Sequence, residues 1–201
     1  MEIEAIVNLR VEKDGKILEE RTFYSESFLR NFIAWLRACF RNRHGSPTTD
    51  EAITDVSGAS DTIFHAGSAN AWDIGACNGL AGEDDIGIVV GTGTASVSPN
   101  DYDLASKITH GTGAGQLLYG DTDFQAEVEV EGNYSKFWMS RLFTNNSGDT
   151  ININEIGIYM VVKNSAGTQK TMLICRDVLA SSVSVPDGAA LTVRYTIKAS
   201  A

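Results

Sequence analysis

Cysteine, proline and histidine are all scarce: each occurs only three times in 201 residues. Cys39, Cys77 and Cys175 lie far apart and no C-x-x-C is present, so neither a zinc knuckle nor a dithiol redox motif is supported. Cys39 and Cys175 sit in apolar runs and read as buried free thiols. Positive charge is also short. Sixteen Lys and Arg against 26 Asp and Glu leave a formal charge of −10. That balance argues against nucleic acid, whose phosphates demand a basic surface, and against binding to anionic membranes. No apolar run approaches the roughly 20 residues of a membrane span. Met1-Glu2-Ile3-Glu4 has no basic start and no apolar h-region, so the expectation is synthesis in a cytoplasm.

Glycine, by contrast, is abundant, with 19 residues, and this points to many turns and close backbone approaches. The chain is long enough for a core without staples. Residues 2–12 alternate apolar and polar as a strand, with Ile6 out of pattern. Asp14-Gly15 is a tight hairpin turn, and Ile17 to Tyr24 returns. Ser25 reads as the N-cap of a helix over Glu26 to Arg43. Its apolar face would comprise Phe28, Leu29, Phe32, Ile33, Leu36, Cys39 and Phe40. His44 to Gly82 is rich in Gly, Ser, Thr and Ala and reads as long loops with one or two short elements. Ile86 to Val90 is a short buried strand, and His110 to Gly120 a Gly-rich connection.

The remainder reads as antiparallel β. Ala126, Val128 and Val130 alternate with Glu127, Glu129 and Glu131 as a half-buried strand with an acidic outer stripe. Strands follow over Tyr134–Phe143, Ile151–Val162, Gln169–Val178, Val183–Val185 and Leu191–Ile197. The expected fold is mainly β: an antiparallel, jelly-roll-like β-sandwich with an N-terminal β-hairpin and one α-helix. One domain is expected, with hairpin and helix over 1–43, a loop region over 44–85 and the sandwich over 86–201.

Three blocks carry a resemblance. The first runs Ile88-Val89-Val90-Gly91-Thr92-Gly93-Thr94, then Ser96-Val97-Ser98-Pro99-Asn100-Asp101-Tyr102-Asp103-Leu104. The second is Arg141-Leu142-Phe143 followed by Asn154-Glu155-Ile156-Gly157-Ile158-Tyr159. The third is Leu173 to Leu179, then Val183 to Val185 and Ala190 to Ile197. Together they resemble structural proteins of tailed phages and related prokaryotic viruses over Ile86 to Lys198. The resemblance implies a virion component of tail, fibre, baseplate or capsid-decoration type, with itself and other virion proteins as partners.

Several residue groups are candidate sites. Glu155 shares a strand face with Ile151 and Ile153, so a buried carboxylate there needs a partner. Arg141 and Arg176, on neighbouring expected strands, would form a structural ion cluster with it. Trp72, Trp138 and Tyr134 are candidate glycan or interface aromatics. Gly111-x-Gly113-x-Gly115 lacks the spacing and following Lys of a phosphate loop. His44, His65 and His110 match no ligand spacing. Glu83-Asp84-Asp85, Asp101-x-Asp103 and Asp121-x-Asp123 suit turns and caps, with a structural Ca²⁺ the best of weak cofactor candidates. No catalytic pair of carboxylates can be placed, so a non-enzymatic, self-associating protein is expected. The alternative is a carbohydrate- or receptor-binding module at a fibre tip.

Overall fold

The computed structural model describes residues 3–25, 27–41, 51–63, 75–164 and 166–200. It is mainly β with one helix, as the alternation suggests, and its antiparallel sheets pack as a sandwich. In chain order the elements are β1 (Ile3–Lys13), β2 (Lys16–Ser25), α1 (Arg30–Arg41), β3 (Glu51–Thr54), β4 (Ser60–Ile63), β5 (Gly87–Gly91) and β6 (Leu118–Phe124). They continue with β7 (Glu129–Glu131), β8 (Tyr134–Thr144), β9 (Ile151–Lys163), β10 (Gln169–Val185) and β11 (Ala190–Ser200).

The larger sheet runs β2-β1-β11-β8-β6, with β7 also on β8; the smaller runs β10-β9-β5; β3 and β4 pair separately. Strict alternation decides the first sheet's faces. Ala5, Val7, Leu9 and Val11 of β1 are buried, and cross-strand Leu191, Val193 and Tyr195 of β11 join them. The intervening Ile6, Asn8 and Arg10 lie on the outer face, so Ile6 obeys the pattern by position although not by polarity. The smaller sheet has no such alternation: every β9 residue from Glu155 to Val162 is buried. Both its faces are covered, one by the larger sheet and the other by α1, β3–β4 and the chain between β5 and β6. Continuous apolar runs are what such a sheet requires. Apolar side chains of both sheets form a single core that includes Phe143, Ile153, Ile156, Met172 and Tyr195.

Several boundaries differ from the sequence reading. The helix starts at Arg30, because Ser27–Leu29 run as a strand-like edge on β10: Arg176 N donates to Ser27 O and Leu29 N to Ile174 O. Ser25 therefore ends β2 and caps nothing, and Glu26 lies outside the described residues. The helix's apolar face is also narrower. Ala38 is buried, whereas Ile33 and Phe40 are 55% and 82% exposed, and Cys39 is an exposed thiol and not a buried one. Asp14-Gly15 turns the first hairpin as expected, both at positive φ. Strand β6 arises where a Gly-rich connection was expected. Val128 and Val130 are exposed at 65% and 73%, so β7 is not half-buried. Val183–Val185 is the end of one long β10, rejoining β9 after a bulge between Val178 and Val183.

Because both sheets share one core, Phe143→Ala should cost about 3–5 kcal/mol. Urea unfolding followed by tryptophan fluorescence and by far-UV circular dichroism should remain a single coincident transition; separated midpoints would show two independently stable layers.

Candidate functional site

Three of the buried charges, Arg141, Glu155 and Arg176, gather at two places against the chain from Leu80 to Gly120; Glu51 and Asp55 are buried separately, on and just after β3. Cross-strand register puts Gly91 opposite Glu155, and Val89 and Arg176 opposite Gly157. Glu155, Gly157 and Arg176 thus share the face of the smaller sheet turned away from the larger one. Asp177, on the opposite face, reaches across to the Tyr195 hydroxyl of β11 (2.9 Å).

Glu155 is fully buried. Its Oε1 accepts from Gly93 N (3.0 Å) and Ser106 N (2.7 Å), and its Oε2 from Ala105 N (3.0 Å) and Arg176 Nε (2.9 Å). Arg176 continues the network: Nη1 donates to Asp101 Oδ2 (2.6 Å) and Nη2 to Ala95 O (3.0 Å). Burial alone would make this guanidinium easier to deprotonate, but the Asp101 and Glu155 carboxylates outweigh it and raise its pKa. Such bonding is what a carboxylate inside a low-dielectric interior requires.

The glycines around this carboxylate follow from it. A Cβ at Gly91 would sit 2.6 Å from Glu155 Oε1, and one at Gly93 closer still. At Gly157 a Cβ would meet the Cys175 carbonyl oxygen and Leu173 Cδ1, both at 2.9 Å, and Leu104 Cδ2 at 3.1 Å, so the missing side chain leaves room for the neighbouring strand and for both leucines. Tyr159, two residues on, donates its hydroxyl to Asp103; burial and that carboxylate push its pKa up. Parts of three sequence blocks far apart in the chain, Gly91 to Leu104, Glu155 to Tyr159 and Leu173 to Arg176, are thereby one structural unit.

Arg141 does not join it. The chain crosses from one sheet to the other between β8 and β9, so Arg141 belongs to the larger sheet and Glu155 to the smaller. The crossover is held by buried Asn145, which donates to Asp149 O and Val185 O (2.7 Å each). Arg141 is 1% exposed. All five of its N–H donors meet backbone carbonyls, those of Gly120, Ile86, Ile88, Leu80 and Glu83, at 2.6–3.0 Å. Its guanidinium also lies 4.9 Å from the Tyr119 ring. Burial lowers its pKa. Nothing in the pattern around Arg141 signals this role, since carbonyls are present at every residue.

The other candidates divide. Trp138 and Tyr134 lie on the outer face of the larger sheet, with Arg194 4.5 Å from the Trp138 ring and Lys198 4.7 Å from the Tyr134 ring. Trp72, His44 and His65 fall outside the described residues. His110 Nδ1 accepts from Tyr119 N (3.1 Å). The turn carboxylates hold protein: Asp101 caps Ser98 N, Asp121 accepts from Ala81 N, and Asp84 binds Lys107. Among the described residues no group of three His, Cys, Asp or Glu is placed to hold a metal. A groove of about 790 Å³ runs between β2 and the β10 bulge and is lined by Phe23, Thr94, Val97 and Leu179.

Compared with protein-family models, curated proteins and solved structures, the chain matches none.

Removing one partner of the buried pair should be severe. Glu155→Ala and Arg176→Met should each cost about 3–5 kcal/mol, and the double variant clearly less than their sum. Gly93→Ala should be strongly destabilising alone and much less so beside Glu155→Ala. Denaturation midpoints test both, and simple additivity would contradict the geometry.

Asp84 supplies a pH dependence. Burial pushes its carboxyl up, but Lys107 (2.8 Å) and the His110 amide (2.7 Å) outweigh this and hold it below the usual range. Its contribution is therefore complete above the unfolded value of about 4 and lost as pH falls through the lower folded value. Asp84→Asn should be less stable than the parent at pH 7, with the difference shrinking at pH 3. A pH-independent difference would refute this.

Proposed function

We propose that the chain is a virion structural subunit of tail, fibre, baseplate or capsid-decoration type, which self-associates or docks on other virion proteins. The three blocks that suggest such proteins supply the partners of one buried network: Gly91 and Gly93, Glu155 and Gly157, and Arg176. The groups with the most chemical potential are committed there to holding loops on a sheet. What carries the reading is the outside. Ile33 and Phe40 on α1, Ile17 and Leu18 at the first hairpin, and Val128 and Val130 beside β7 are all more than half exposed. Scattered exposed apolar residues are ordinary, but apolar groups clustered at separate ends of a rigid sandwich suit association.

A second reading has one specific observation behind it. The outer face of the larger sheet presents Trp138, Tyr134 and Tyr24 beside a groove of about 660 Å³ lined by Ile6, Asn133, Lys136, Thr196 and Lys198. A glycan-binding module would use such rings as platforms. Here Arg194 and Lys198 already stand over all three of them, which leaves less open ring surface for a sugar, so the reading ranks second.

Light-scattering mass of the purified chain, followed by electron microscopy, should find species larger than the 21.6 kDa monomer or capture by other virion proteins. A monodisperse monomer whose glycan affinity falls with Trp138→Ala would transfer support to the second reading.

A further inference from the structure

We infer that a basic line on helix α1 of one copy receives the acidic β7 hairpin of another, joining copies head to tail; the inference deepens the self-association proposed above and rests on it. Arg30, Ile33, Arg37 and Phe40 are all exposed. Their spacing of three, four and three places them on one line of the helix. The opposite side of α1 is taken: Ala38 is buried, and Asn31 Nδ2 donates to Thr54 O (2.8 Å) and Leu173 O (3.2 Å). The outward line therefore alternates cation and apolar group, with Phe40 82% exposed at its end. Arg37 shares one nitrogen with Glu51 (2.7 Å), yet its side chain stays 59% exposed.

The complementary feature lies at the far edge of the sandwich. Glu127, Val128, Glu129, Val130 and Glu131 are all exposed. Among the described residues β7 pairs only with β8, so its other edge and both its faces are open. Lys136 bridges Glu129 and Glu131, which leaves the segment with a net negative charge. Edge strands are commonly protected by charge alone. Two valines exposed at 65% and 73% between the carboxylates are not explained by protection.

The two features match in sign. Arg30 to Phe40 spans about 15 Å along a helix at 1.5 Å per residue, long enough to cover β7 (Glu129–Glu131), about 7 Å at 3.4 Å per residue. Within one chain they belong to opposite sides. Helix α1 packs on β10 and β3, and β10 approaches β2, whereas β7 sits beyond β8 at the other end of the larger sheet. A contact between unlike patches is heterologous, so it closes into a ring or propagates as a filament. Exposed charge pairs are weak singly and screened by salt; repetition around a ring or along a filament makes them effective.

The test uses the full chain and charge exchange at exposed positions. Arg30→Glu and the pair Glu127→Lys with Glu131→Lys should each weaken self-association about tenfold at low salt, with circular dichroism unchanged. Combining all three substitutions in one chain should recover part of the loss, because the carboxylate introduced at position 30 then faces the introduced lysines while Arg37 keeps its charge. Phe40→Ser should weaken assembly irrespective of salt. If the parent chain assembles and none of these substitutions matters, the contact lies elsewhere: this inference falls while self-association stands. A parent chain that stays monomeric at all concentrations removes both.

Discussion

A carboxylate with no access to water must be met by hydrogen bonds on every side, and Glu155 imposes that demand on the rest of the smaller sheet. Its two oxygens collect the amides of Gly93, Ala105 and Ser106 as well as the Arg176 guanidinium. Those amides belong to the chain leaving β5, so the chain is drawn across the sheet and becomes its outer cover. The cover in turn makes β9 buried on both faces, which is why Ile156 to Val162 can be continuously apolar. The cost of burying the charge is offset only while every donor stays in place. Backbone amides held by neighbouring residues meet that condition better than long side chains would.

Arg141 solves the converse problem. A cation inside the sandwich takes carbonyls, and it takes them from the segment between Leu80 and Ile88 and from Gly120. Asp84 in that segment then reaches Lys107 and the His110 amide, on the far side of the span that Glu155 holds. Two buried guanidiniums and one carboxylate thus fasten most of the chain from Leu80 to Gly120. Segments this rich in Gly, Ser and Thr invite a reading as flexible loops. Here Gly91, Gly93 and Gly157 are small because charge or a packed leucine occupies the space a Cβ would take.

That distinction marks how far the sequence could be read. Period-two alternation marks β1 and β11 because each has one wet face, and continuous apolar runs mark β9 and β10. The Glu155–Arg176 pair was legible because a carboxylate at a core position must have a partner and an arginine lay on the next strand. Its amide donors were not, since any residue except proline can supply one. Arg141 was misassigned for the same reason, compounded by a sheet crossover at Asn145 that successive strands cannot reveal. Strand β6 was hidden by Gly120 and Asp121, which local propensity assigns to a turn although tertiary pairing with β8 overrides it. The helix was drawn too long because Phe28 and Leu29 are apolar for the sake of β10, not of α1.

The interior and exterior of the molecule therefore answer to different constraints. Inside, the charged groups Glu155, Arg141 and Arg176 are met by stoichiometric partners, and small changes propagate through a shared core. Outside, the polar face of the larger sheet satisfies itself through pairs such as Glu4–Lys198 at 2.8 Å and the stacked Arg194–Trp138. Where that self-satisfaction stops, at the α1 line, the first hairpin and the β7 hairpin, apolar side chains stand in water beside charges of one dominant sign. These are the places where a monomer leaves free energy unrealised and a neighbouring molecule can recover it. A scaffold fastened so firmly from within presents those places in fixed relative positions. On the proposed reading, fixed positions would turn weak exposed contacts into a defined assembly geometry, because little ordering entropy would remain to be lost on association.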